Sequence, residues 1–165
     1  MIWTAVSKGW LTVVRSQLEV AAANDKDLTE IMLEPDRGGR TPLHVACLNG
    51  HLKVVEELLS EWAGSLDIKK LVCAEDNAGR TPLHMAASVS KLKCAKFIIA
   101  TGHAPLKVAA FDGRTALHAA AVASCQPMAQ LLFENSPWLL KQEDAAGCTA
   151  LDIAQEIDPE SSLCS

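Results

Sequence analysis

Apolar residues recur along this chain with a helical period. In "NGHLKVVEELLSEWAG", Asn49 to Gly64, Leu52, Val55, Leu58 and Leu59 share one face, with Lys53, Glu56 and Glu57 on the other side. In "SKLKCAKFIIATGHAP", starting at Ser90, Leu92, Ala95, Ile98 and Ile99 repeat the stripe. In "SCQPMAQLLFENSP", starting at Ser124, Met128, Leu131 and Leu132 do so again. Each stripe predicts an amphipathic helix that buries one face. Gly64 and Gly102 read as C-terminal caps, and Asn135 or Ser136 ends the third helix.

Ahead of each stripe stands a related phrase. "GRTPLHVACL" begins at Gly39, "GRTPLHMAAS" at Gly79, "GRTALHAAAV" at Gly113 and "GCTALDIAQE" at Gly147. The threonine is a good N-cap, because its hydroxyl accepts from an orphan backbone N–H. Pro42 and Pro82 suit the first helical position, where a missing N–H costs nothing. Thr41, Thr81, Thr115 and Thr149 are spaced by 40, 34 and 34 residues. Periods in this range signal a solenoid, whose units bury their apolar faces only by stacking. The expected unit is helix, tight turn, helix, then a loop to the next Gly-x-Thr.

The front of the chain follows the same plan without the Thr-Pro start. Aligning Gly9 with Gly50 sets Ile2 on Leu43 and Trp3 on His44. "DLTEIMLEPD" and "DIKKLVCAED" match 40 residues apart and predict a short extra helical turn on the side of the stack, with "PWLLKQED" a shorter third version. The expected organisation is one all-α domain over 1–165, with units near 1–35, 36–75, 76–109, 110–143 and 144–165, the outer two incomplete. "LDIAQEI" leaves no room for a complete second helix after it, so a terminal cap and a longer array both stay open.

Composition agrees with thin, closely stacked layers. Hydrophobic residues make up 49% of the 165 residues, much of this alanine, and aromatics only 4%. The net charge of −5 is uneven: from Phe133 onward one basic residue faces seven acidic ones, read as a solvated end. The acidic balance argues against bulk nucleic-acid binding. No secretory signal pattern and no run long enough to span a bilayer is evident, so membrane insertion is not expected. Six cysteines at 47, 73, 94, 125, 148 and 164 form no C-x-x-C, so zinc spacing is missing; reduced, buried thiols of a cytoplasmic or nuclear protein fit best.

The repeated T-P-L-H-x-A, with Gly50-His51 and an apolar second helix after it, resembles the ankyrin repeat. "TPLHVACLNGHLKVVEELL", residues 41–59, is the strongest copy, and the likeness covers almost the whole chain. The resemblance implies a solenoid of helix pairs with projecting loops, or fingers. It implies that His44, His84 and His118 are structural, bonding fingers to helix starts, and Asp152 takes the histidine's place in the last copy. It also implies a non-catalytic module that binds another protein or peptide through fingers and inner helices, with no cofactor or metal.

Carried onto this chain, the finger positions include Arg37, Arg40, Asn77, Arg80, Phe111, Asp112 and Arg114, and the inner-helix positions include Leu48, Val89 and Val122. Together they suggest a concave strip: an apolar row of Leu48, Val89 and Val122 flanked by Arg40, Arg80, Arg114 and Phe111. Arginine and aromatics with an apolar row have the make-up of an interface core. The plainer reading is that each arginine supports a neighbouring finger. Cys47 with His44 or His51 is the nearest approach to a nucleophile pair, but the cysteine falls on a packed helical face. Trp10, Trp62 and Trp138 read as packing residues, with Trp62 and Trp138 the more exposed. Self-association through Leu151, Ile153 and Ile157, or service as a regulatory domain of a larger enzyme or channel, is the alternative role.

Overall fold

The computed structural model describes residues 2–62 and 64–157. Cys164, Asp158 and Glu160, counted above in the cysteine and charge patterns, lie outside the described residues. The helices are α1 Ile2–Lys8, α2 Leu11–Ala23, α3 Leu28–Leu33, α4 Pro42–Asn49, α5 Leu52–Glu56, α6 Ile68–Cys73, α7 Pro82–Ser88, α8 Leu92–Ala100, α9 Ala116–Val122, α10 Gln126–Asn135 and α11 Ala150–Ile157. A π turn, Glu57–Glu61, continues α5, and a 3₁₀ turn spans Pro137–Lys141. No strand runs through the described residues beyond one isolated bridge, Glu143 with Thr149.

Two layers of helices stack side by side. In the inner layer α1, α4, α7, α9 and α11 pack in chain order, and in the outer layer α2, α5, α8 and α10 do the same. The repeat phase accounts for this. Leu43, Leu83 and Leu117 are buried at one position of successive inner helices, and Ala46, Ala86, Ala120 and Ala154 at another. Alanine at every contact lets neighbouring helices approach closely, while leucine supplies apolar area, about 2 kcal/mol for each fully buried side chain. Val54, Val55, Leu58, Ile98, Met128 and Leu132 add the outer layer to the same core.

The turn between the two helices of a pair needs one residue in the left-handed region. Gly9 and Gly50 supply it at φ +69 and +72, and the same position in the next two pairs is Ser90 at +57 and Ser124 at +49. Those serines keep the turn although their Cβ strains it. The extra turns fall where the matched segments place them. Asp27 caps α3 by accepting from the Thr29 and Glu30 N–H groups, Asp67 caps α6 by accepting from the Lys70 N–H, and the Asp67 N–H donates to Thr29 Oγ1 at 3.0 Å.

Three expectations change. Gly64 is not a left-handed cap, since the π turn widens the end of α5 and closes it at Trp62. Glu57, expected on the wet side, is buried. The Arg15 guanidinium of α2 grips it at 2.8 and 2.5 Å, and the Trp62 indole N–H donates to it at 3.2 Å. These bonds, the Arg15 one first, hold its pKa below the usual range against the upward push of burial. On α11, Ile153 is buried and Leu151 half-buried, so only Ile157 of that trio stands exposed.

Candidate functional site

Four finger loops lead into the inner helices, each closed by the same short ladder. The N–H of Asp36, Asp76, Ala110 and Asp144 donates to the carbonyl of the residue four positions on, at 2.8–2.9 Å. The glycine before the last residue sits at φ +75 to +79, completing a turn with a left-handed bulge. Adjacent fingers are stitched together: Asn77 N–H donates to Gly38 O, Phe111 N–H to Ala78 O and Ala145 N–H to Asp112 O, at 2.9–3.0 Å. A Cβ on Gly79 would meet the Phe111 ring at 2.6 Å, so this glycine serves both the turn and the close approach of the next finger.

The histidines lock fingers to helices. Thr41 N–H donates to His44 Nδ1, and the Thr41 hydroxyl takes the N–H at the third helical position, forming a capping box. Since Nδ1 accepts, Nε2 carries the proton, and it donates 2.8 Å to the Arg80 carbonyl of the next finger. His84 repeats this to Arg114 O, and His118 to Cys148 O, both at 3.1 Å. Burial pushes the His44 pKa down, and that of His84 down to about 4. Asp152 keeps the cap, its Oδ2 accepting from the Thr149 N–H and hydroxyl at 2.7 Å, but it cannot donate onward as a histidine does. These histidines are therefore structural, and Cys47, fully buried with its thiol pKa pushed well up by burial, is no nucleophile.

The arginines of the strip do structural work of their own. Asp36 Oδ1 accepts from the Gly38 and Arg40 N–H groups, and its Oδ2 pairs with the Arg40 guanidinium at 2.7 Å. Asp76 does the same with Ala78 and Arg80, the ion pair at 2.8 Å. In the third finger this position is Ala110. Arg114 has no aspartate there and reaches instead to Asp144 of the following finger, Nε to Oδ2 at 3.2 Å, with Asp112 at 3.9 Å. Asp36, Asp76 and Asp144 went unnoticed in the sequence, although the 40, 34 and 34 spacing puts them in one column broken only at Ala110.

The described surface brings part of the proposed strip together. Arg80, Asp112, Arg114 and Val122 line one hollow of about 180 Å³, with His84, Ser88, Ala110, Thr115 and Ala119 completing its wall. Phe111 is 76% exposed beside it, and Val89 and Val122 are exposed as well. Leu48 departs from the row: it is half-buried against the core and does not line the hollow. Arg37, Arg40 and Asn77 lie at the earlier fingers, where Asn77 Nδ2 donates to Arg37 O at 3.2 Å. Trp62 and Trp138 pack as expected, but the expected order of exposure among the tryptophans reverses. Trp62 and Trp138 are half-buried, each with its indole N–H bonded, whereas Trp10 is 53% exposed at the start of α2, one turn before exposed Val13.

No group of metal-ligating side chains occurs among the described residues, and no described helix is long and apolar enough to cross a membrane. No curated protein matches the chain. The family model for ankyrin repeats, built as three copies, matches residues 1–70 and again residues 61–138. With the Thr-Pro-Leu-His caps, the stitched fingers and the two helical layers, that match shows that the chain belongs to the ankyrin-repeat family.

Proposed function

We propose that this protein binds another protein non-covalently, without turnover, through the concave strip formed by the second and third fingers and helices α7 and α9. Ankyrin repeats are in general protein–protein interaction modules. The observation that carries the choice of surface is that exposed Val122 lines a hollow rimmed by Arg80 and Arg114, with exposed Phe111 and Val89 next in the chain to its lining residues Ala110 and Ser88. Large apolar side chains gathered in one place mark a contact surface more than scattered ones do. Self-association through α11 has less support, because Ile153 is already buried.

The test is affinity capture from lysate with two baits, the wild-type chain and a Val89→Glu, Phe111→Ala, Val122→Glu variant. These three positions are exposed, so equal folding by circular dichroism is expected. Reversing Arg80 or Arg114 would be a poorer choice, since each neutralises a buried aspartate. A partner held by wild type and lost by the variant supports the strip; partners held equally by both overturn it.

A further inference from the structure

We infer that the hollow between the second and third fingers receives one apolar side chain from an acidic segment of the partner, whose carboxylate pairs with Arg80. This rests on the strip being the partner surface and adds the chemistry that surface recognises.

Size comes first. About 180 Å³ is well below the ~300–1,000 Å³ of small-molecule pockets and suits a single side chain. The lining is apolar at Ala110, Ala119 and Val122, cationic at Arg80 and Arg114 and anionic at Asp112, which lies on the Arg114 side. The ion pairs of those arginines are lopsided. The Arg80 side chain is 50% exposed and Asp76 0%; Arg114 is 44% exposed and Asp144 3%. The anions are hidden beneath the fingers, and the surface presents guanidinium donors beyond those the aspartates use.

The two arginines differ in what surrounds them. Arg114 has a second, exposed carboxylate near it, Asp112, so its charge is largely answered. Arg80 has only the buried Asp76, and farther along the fingers Arg37 makes no ion pair among the described residues. The exposed guanidinium donors on that side are those of Arg80, whose own carboxylate is hidden, and the cation there without an ion pair among the described residues is Arg37, so an acidic segment would run that way from the hollow. Ala110 accounts for the space. An aspartate there, as in the two preceding fingers, would draw Arg114 back onto its own finger and fill the cavity.

The test uses labelled synthetic peptides in a Gly/Ser background, read by fluorescence anisotropy. One carries a run of Asp and Glu followed by Leu-Phe; in a second the acids are lysine; in a third Leu-Phe is Ser-Ser. The expected result is saturable binding of the first alone, weakened by added salt and about tenfold weaker for Ala110→Asp. Val122→Glu, which offers Arg80 an internal carboxylate from an exposed position, is expected to weaken it as well and decides the matter should Ala110→Asp fold poorly. No binding of the first peptide up to about 1 mM, equal binding of the lysine peptide, or indifference to these substitutions overturns the inference. Captured partners separate the two levels. A partner lost by the triple variant but not displaced by the acidic peptide leaves the strip standing and removes this chemistry; no strip-dependent partner at all removes both.

Discussion

At the scale of single residues, the repeated turn between paired helices is the most informative feature. Four residues hold it, and two are serines in a conformation that costs an L-residue roughly 1–2 kcal/mol. Ser90→Gly and Ser124→Gly are each expected to stabilise the chain by about 0.5–1 kcal/mol, after the greater freedom of glycine in the unfolded state is discounted. Urea melts check this, and a loss of stability would refute it. Gly102 is the opposite case. It sits at φ +73 with open space around it, so Gly102→Val is expected to cost more than about 1 kcal/mol through backbone conformation alone. A neutral melt would show that the backbone there relaxes.

At the scale of elements, bonds between neighbouring helix pairs differ in kind along the stack. From α4 through α7 and α9 to α11 it is histidine Nε2 to carbonyl, in a ring held neutral because its Nδ1 accepts the threonine N–H. His84, lowered to about 4 against an ordinary 6.5, binds its proton later than the unfolded chain does on acidification. Its contribution is thus complete above about pH 6.5 and lost as pH falls from there towards 4, about 3 kcal/mol in all. His44 is shifted the same way by burial. Denaturant melts at pH 7, 5.5 and 4.5 are expected to show stability falling across this window, and to fall less for His84→Gln measured against its own pH 7 value. A flat profile would refute the assignment. Asp144, lowered first by the Cys148 backbone N–H, and Glu57, lowered first by Arg15, lose their contributions only as pH drops below the ordinary carboxylate range.

The junction of α1 and α2 with α4 and α5 has another device. Trp3 stands where a histidine would, and the link passes instead from His51 Nε2 to Ser7 O at 3.0 Å and from Arg15 to buried Glu57. Arg15→Ala would leave that carboxylate buried and without its cation, and is expected to lower stability in urea melts. Arg15→Ala with Glu57→Gln is expected to recover a large part of it; failure of the double variant to do so would show that the charge was not the issue.

At the scale of the whole molecule, stability is a sum of units and of contacts with their neighbours. Helix α7 packs between α4 and α9 and carries both a capping box and a histidine link, whereas α1 has Trp3 in the histidine's place and α11 has only the cap. Amide hydrogen exchange is expected to be slowest in α4, α7 and α9 and fastest in α1 and α11. Uniform protection would mean that the stack opens as one body.

How much could be read ahead of the structure follows from the range of each interaction. The caps, the tight turns and the extra helices rest on residues close together in the chain, repeated at a constant phase, and local chemistry repeated in this way points to the family and the two layers; the histidine bonds reach 30 to 36 residues along the chain and were implied by the resemblance to the ankyrin repeat alone. Only the tertiary structure decided the rest, because it depends on which distant groups meet. Glu57 becomes buried because Arg15, 42 residues away, reaches it. Leu48 leaves the apolar row because the core takes it, and Trp10 rather than Trp62 is left exposed. Arg114 turns to Asp144 because Ala110 offers it no carboxylate, and the hollow opens where that one position in the column differs.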